Sequence, residues 1–536
     1  MPEGYEPLAE ELTEDEKLLA KLGYKQELHR SWSGFSNFAI SFSIISILAG
    51  CFTTFGLGWN NGGPAAIAWG WPIVSMFILI IGLCMSELVS AYPTSGGIYW
   101  WASKLGGVQA GFWTGWLNLI GLIAIVASVA YGCATFLDIT LSHFSDSWAN
   151  GYSLGRVFVL FLAILGLAAL VNIFSSHLLA VLNNISVWWH VFGAALVILI
   201  LWFVPDKHAS SEMVWTHTVN NNGFMTTLSD GATSTHGLGF LLAVLPISAI
   251  LTQYTITGYD ASAHLSEETQ GAANSAAKGI WQSIFYSAIG GWILLLSFLY
   301  AVQDEAEVTA AFGFIPVLFD SALGSKWAGL VLFISTAGQF FCTTACLTST
   351  SRMLFAFSRD GAVPGSSHWS KLSAKRVPVR AIGLATTAAV LLTLPALVSV
   401  NVGTPEEPVP SPVAFFAVVS IGVVGLYLSF AIPIFYRWRQ GDAFRQGSWN
   451  LGNRWKWMAP IAIAEILITS IYALLPTSGA GVFFTSDLDW RFVNYTPIVL
   501  FGALFLLWIF WHVSAKKWFT GPKHTIDEAV IEALDS

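Results

Sequence analysis

Long apolar runs separated by short polar stretches dominate this chain. Twelve stand out, approximately 35–59, 65–92, 111–137, 154–174, 178–204, 238–265, 279–302, 327–357, 381–400, 412–435, 458–475 and 496–513. Each reaches or approaches the roughly 20 residues that a helix needs to cross a bilayer core. Lipid offers the backbone no hydrogen bonds, so runs of this length predict spanning helices and an all-α integral membrane fold. A polar loop rich in Ser, Thr and Asn, 205–237, separates the fifth run from the sixth. Ahead of the first run, Thr13-Glu14-Asp15-Glu16 has capping-box spacing and Gly23 is a natural stop, which predicts one short helix before the membrane.

Two runs break the pattern. The first, Phe35 to Trp59, carries no charge but holds Ser36, Asn37, Ser41, Ser43, Ser46, Thr53 and Thr54, with Gly50 near its middle. Small residues alone could serve helix packing. The sixth contains Thr257-Gly258-Tyr259-Asp260, and an acid at membrane depth costs at least ~2.5 kcal/mol unless it is paired or faces water. The first and sixth runs each begin a group of five. Interruptions at corresponding places in two halves point to an inverted repeat, with broken first and sixth helices around a midplane site and two extra helices at the C-terminal end.

Composition strengthens the membrane reading: 55% of the residues are hydrophobic and 10% charged, too apolar for a soluble core. The formal charge of −8 is concentrated locally, with Glu3, Glu6, Glu10, Glu11, Glu14, Asp15 and Glu16 near the start. No basic patch interleaves with aromatics, which excludes a nucleic-acid surface. Placing both termini in the cytoplasm puts twenty of the 24 lysines and arginines on the inner side, as the positive-inside rule asks. Cys51, Cys84, Cys133, Cys342 and Cys346 lie in or beside apolar runs without CxxC spacing, so neither a disulfide framework nor a zinc site is expected. An acidic N-terminus is unlike a cleavable signal peptide. The expected division is a tail 1–34, first repeat 35–204, loop 205–237, second repeat 238–436, two further helices 437–513 and a tail 514–536.

Several stretches resemble the amino acid–polyamine–organocation superfamily, and within it the amino acid/choline transporter branch that includes GABA permeases and bidirectional amino acid transporters. They are Glu87 through Tyr99, Thr257-Gly258-Tyr259-Asp260 followed by Glu267-Glu268, Ser351 through Pro364, and Gly23 through Leu28 leading into Phe38 through Ser46. The resemblance implies a secondary transporter in the plasma membrane, moving amino acids, GABA or a related amine by alternating access. Other readings within the fold are a choline or polyamine permease and an exchanger; a nutrient-sensing receptor is a different class. No catalytic or metal constellation argues for an enzyme, and no cofactor is expected beyond a coupling proton or sodium ion. Partners are a small zwitterion and the bilayer; oligomeric state is open.

The resemblance also implies residue roles. The substrate carboxylate would meet N–H groups near Ala49, Gly50 and Cys51, at a helix N-terminus. The ammonium would meet carbonyls near Ser46, Thr255 and Thr257, with Gly258 and Tyr259 at the break. Asp260 would either assist or cap a helix. Relatives unwind at Gly-Ser-Gly, whereas Leu48-Ala49-Gly50-Cys51 stands here, so the unwinding point is open. Phe52, Tyr259 and Trp116 are candidates to close over the substrate. The eighth run carries the polar stripe Ser335, Gln339, Thr343, Cys346, Thr350; Ser349 and Thr350 are candidate sodium ligands by resemblance, or simply line a pathway. His190 is a candidate proton carrier or a hydrogen-bonded bundle histidine. Arg30 and Asp360 are a candidate inner gate, or a solvated pair worth little. Glu87 through Tyr99 reads as a tight reentry between spans, remote from the site.

Overall fold

The computed structural model describes residues 12–228, 232–401, 410–412, 415–526, 530, 531 and 534; Glu3, Glu6, Glu10 and Glu11 lie outside them. The short first helix, Glu14–Lys21, forms as its sequence asks. Thr13 and Glu16 cap it reciprocally. Gly23, at φ +92°, closes it through Tyr24 N–H to Leu19 O and Gly23 N–H to Ala20 O, the Schellman pattern.

Among the described residues, twelve helices are long and apolar enough to span a membrane. The first is Gly34–Thr53 and the second Gly63–Ala91; the third to fifth are Val108–Phe144, Leu154–Phe174 and Ser176–Phe203. The sixth is Gly237–Thr255, and the next four are Ala272–Tyr300, Ser325–Arg359, Val379–Leu397 and Ala417–Ala443. Gly452–Leu474 and Thr496–Lys517 complete the set. Two three-residue strands, Ser399–Asn401 and Pro410–Pro412, pair antiparallel between spans 9 and 10.

The two halves repeat one plan. Spans 2 and 7 are each 29 residues and pack together; spans 3 and 8, at 37 and 35, are the longest and also pack together. Each long span follows a short helix, Gly97–Gly106 or Ile315–Leu323. The joint is in each case a glycine in a conformation that side chains avoid, Gly107 at φ 87°, ψ 176° and Gly324 at φ 69°, ψ 162°. An even number of spans brings the chain ends to one face, where Thr525 binds Lys25 and Gly23. That face is here the terminal face; the other, carrying the 205–237 segment, is the loop face.

Spans 1 and 6 are the irregular ones. Span 1 is regular over Gly34–Ile44, opens at Ile45 (ψ 59°), and restarts at Ile47 with Ser46 as N-cap. Span 6 opens with a π turn at Phe240–Val244 and a tight turn at Leu245–Ser248, where Pro246 removes a backbone donor. It runs regularly over Ala249–Thr255, breaks, and resumes as the single turn Ala261–His264.

Candidate functional site at the two helix breaks

Span 1 unwinds upstream of the expected point. Ser46 caps the second half, its hydroxyl accepting from Ala49 N–H at 3.1 Å. Ala49 and Gly50 N–H groups also reach Ser46 O at 2.9 and 2.8 Å. Ala49, Gly50 and Cys51 are therefore already inside the helix, and the N–H groups left without an intrahelical acceptor are those of Ile47 and Leu48. The expectation that free donors lie near Ala49 to Cys51 is corrected by two residues, about half a turn. The physical reason is that serine is a strong N-cap whereas alanine and cysteine are not. Gly50 has another job: a Cβ there would run into the Thr255 side chain.

Span 6 opens at Ile256–Asp260, around Gly258 at φ +87°. The Thr257 and Tyr259 hydroxyls are buried without partners, and the Tyr259 ring packs against Phe430 of span 10. On the terminal side the spans are stitched together. Ser41 Oγ donates to Tyr259 O at 2.9 Å and accepts from Ser262 N–H at 3.0 Å; Asn37 Nδ2 donates to Ser262 O at 3.0 Å. Ser46, Ala49, Gly50, Cys51, Thr255, Thr257, Gly258, Tyr259 and Asp260 are all buried along the two breaks. Gly50 meets Thr255 where the spans cross, which makes one buried seam of the two.

Asp260 sits at the N-cap position of Ala261–His264 but makes no cap bond, so the capping reading does not hold. Its Oδ2 accepts from Asn118 of span 3 at 3.2 Å and meets His264 Nε2 at 3.2 Å, while Oδ1 has no partner. His264 Nδ1 reaches Ser95 O at 3.1 Å. The loop after span 2 is therefore more than a reentry: it contacts the end of span 6 through His264 and through Ser95 N–H to Glu267 at 2.9 Å.

Other candidates are dispersed. His190 is wedged between Ser46 Oγ (2.6 Å) and Ser186 O (2.8 Å), a hydrogen-bonded histidine bracing the break. Thr350 donates to Cys346 O and lies 3.5 Å from Leu122 O of span 3; the Ser349 hydroxyl is buried without a partner. Contacts from span 8 to the span 1 break come from Ser335, to Leu48 O at 2.6 Å, and Cys342, to Ile44 O at 3.2 Å, about four and two turns before Ser349. Phe52 joins Phe136, Phe298 and Phe319 in an aromatic cluster. Trp116 instead packs on Phe357 and Phe510. Two surface clefts, about 430 Å³ between spans 1 and 7 and about 530 Å³ between spans 3, 10 and 11, share no lining residue with either break.

Arg30 and Asp360 do not pair. Arg30 binds Gln26 Oε1 and Thr269 O, both at 2.5 Å, with Asp15 at 3.7 Å. Asp360 accepts from Tyr24 at 2.9 Å, from Tyr99, and from Lys523 N–H at 3.1 Å; burial pushes its carboxyl up. Closure of the terminal face comes instead from neighbours in the sequence. Arg359 grips Glu267 with both terminal nitrogens at 3.0 Å. Burial alone would raise Glu267, but Arg359 and the Ser95 N–H hold it below the ordinary carboxylate value. Arg352 binds Glu268 at 2.8 Å, and Ser176, itself held by Trp32, donates to Glu268. Adjacent acids in a motif gave no sign of which arginine each would take.

Twelve spans, two matched halves and a buried seam where the leading helix of each half opens define an all-α membrane transporter rather than an enzyme. The family model for amino acid permeases matches residues 33–513. The amino-acid permease BAT1 of Arabidopsis thaliana is 34% identical over 522 residues, 94% of this chain and 95% of its own. The GABA-specific permease of Saccharomyces cerevisiae is 28% identical over 97% of this chain and 88% of its own, and the thiamine transporter thi9 of Schizosaccharomyces pombe is 28% identical over 94% and 86%. The chain belongs to the amino acid permease family.

Proposed function

We propose that the protein carries a small zwitterionic amino acid, with GABA a leading candidate, across the plasma membrane by alternating access, both termini being cytoplasmic. The observation that carries this reading is the juxtaposition of opposite backbone ends in one buried seam. The N-terminus of Ile47–Thr53, with the Ile47 and Leu48 N–H groups, offers donors and a positive dipole end to a carboxylate. The carbonyl ends of Gly34–Ile44 and Ala249–Thr255 offer acceptors to an ammonium. Ser46 shapes the first of these, while Thr257, Tyr259 and Asp260 supply the polar atoms still without partners. Relatives named for GABA, and for thiamine, support a cationic nitrogen in the substrate.

Release toward the cytoplasm would require the Arg352–Glu268 and Arg359–Glu267 pairs to part, because they tie span 8 to the end of span 6 on the terminal face. The test is uptake into proteoliposomes of purified protein, with labelled α-amino acids, GABA, choline and thiamine, with and without substrate preloaded inside. Saturable uptake of a zwitterion, competed by the unlabelled compound, is the expected result. Folded protein that moves none of them overturns the proposal.

A further inference from the structure

Four carboxylates lie within the twelve spans: Glu87, Asp138, Asp442 and Glu465. Three have cationic partners, Arg437 at 2.8 Å, Arg156 at 2.6 Å and Lys456 at 3.6 Å respectively. Glu465, in the middle of span 11, has none among the described residues. Its Oε1 accepts from Gln253 Nε2 and, at 3.0 Å, from Thr469 Oγ1; its Oε2 is buried with no partner. The amide oxygen of Gln253 is likewise buried and unpartnered.

Two unsatisfied oxygens on one hydrogen-bonded acid–amide pair become complementary when the acid gains a proton. A carboxylate and an amide oxygen are both acceptors and cannot satisfy each other. A carboxylic acid can: its O–H donates to the amide oxygen while the amide N–H donates to its carbonyl, closing a two-bond ring. One added proton therefore supplies the missing donor and removes an unpaired charge from the bilayer interior, where it is costly. The surrounding titratable groups offer no alternative cation. Tyr254 is bonded to Ser128 at 2.8 Å, Tyr427 donates to backbone carbonyls, Tyr259 is neutral, and Asp260 is engaged with His264. The Arg437–Glu87 pair lies near Leu451, fourteen residues and about 20 Å along the helix from Glu465.

The geometry points to Glu465 as a proton-binding site that couples transport to a proton gradient through Gln253. This rests on the transporter reading above. Gln253 is in the last turns before the span 6 break, and Tyr427 OH spans Gln253 O (3.3 Å) and Ile256 O (3.0 Å) at the edge of the substrate seam. Protonated, Glu465 holds that half of span 6 onto span 11. Deprotonated, Glu465 keeps of that ring only the bond from the Gln253 amide N–H, leaves its Oε2 and the Gln253 oxygen without a donor, and carries an unpaired charge, so the hold on the half-helix weakens.

The experiment uses proteoliposomes of the full chain, with whichever labelled amino acid gives counterflow, and a pH-sensitive dye inside. Wild type should show counterflow without a gradient, accumulation on an imposed proton gradient, and substrate-dependent proton movement. Glu465→Gln keeps the shape and the amide contact but cannot exchange a proton. It should retain counterflow while gradient-driven accumulation and proton movement fall to background. Glu465→Asp, which keeps the carboxyl, should retain coupling with a displaced pH profile, and it decides the matter should Glu465→Gln not fold. Accumulation that persists in Glu465→Gln, an unmoved pH profile in Glu465→Asp, or net substrate uptake by wild type without proton movement overturns the coupling site. Absence of counterflow from folded wild type overturns the transporter reading itself, and this inference with it.

Discussion

Gly258 stands at φ +87° with the Ile44 side chain lying where its Cβ would project. The relationship is reciprocal: Gly50 accepts the Thr255 side chain in the same way. Ile44 and Thr255 are each the last helical residue before a break, one in span 1 and the other in span 6. Each broken span thus gives up a side chain so that the other's last turn can approach backbone to backbone, and this close crossing fixes where the two openings meet.

The two glycines should respond differently to alanine. Gly50→Ala introduces only a clash, so adding Thr255→Ala should recover part of the lost melting temperature. Gly258→Ala also places a non-glycine residue in a left-handed conformation, at about 1–2 kcal/mol, a cost that Ile44→Ala cannot remove. Thermal melts of the four variants and both doubles check this by double-mutant cycle. Strict additivity at Gly50 and Thr255 would contradict the close approach.

Arg352 and Glu268 form a fully buried pair on the terminal side of the seam. Removing one charge leaves the other uncompensated, so Arg352→Gln should destabilise by about 3–5 kcal/mol. The double variant Arg352→Gln, Glu268→Gln should recover much of that loss, because neither charge then remains. Denaturation of purified protein in detergent measures both, and a double variant as unstable as the single one would show that the pair is not the dominant contact.

The fold was largely legible because bilayer thickness imposes a length on every apolar run, and the run 496–513 coincides with the helix Thr496–Val513. The two openings were legible as regions, since hydroxyls and an acid are costly inside an apolar run unless the backbone or a cavity there gives them partners. Their exact geometry was not: Ser46 and Ala49 lie three residues apart, and only the cap bond shows which starts the helix. Pairings across the fold were also hidden, because Arg30 and Asp360 lie on one face yet find closer partners in Gln26, Tyr24 and Tyr99. Glu465 did carry a signal, as the lone acid in the run 458–475, by the same reasoning that singled out Asp260.

Acid should loosen the terminal face through Glu267. Its carboxyl is held below the ordinary value in the folded protein, so its stabilisation is present above the unfolded pKa, about 4.3, and is lost as pH falls through the folded value. Arg359→Gln removes the main cause of the depression and leaves burial to raise the carboxyl. With the folded value then above the unfolded one, the sign reverses: the Glu267 contribution should be lost as pH rises rather than as it falls. Melting temperature against pH for both proteins checks the sign, and parallel profiles would mean that Arg359 does not set the Glu267 charge.

On the proposed reading Asp260 would meet the substrate ammonium, since it makes no cap bond and keeps Oδ1 without a partner. His264 Nδ1 faces a carbonyl, which can only accept, so Nδ1 carries a proton. An arriving ammonium would compete with His264 Nε2 for the same carboxylate. Asp260→Asn removes the charge while keeping the size. A hydrogen bond to a charged group contributes roughly 1.5–3 kcal/mol, which corresponds to about 10- to 100-fold in affinity. Half-saturation for a zwitterionic substrate should rise by that order, with a smaller fall in maximal uptake and little change in melting temperature. Unchanged half-saturation with a lowered melting temperature would instead assign Asp260 to holding Asn118 and His264 in place, which would leave the ammonium to the carbonyls alone.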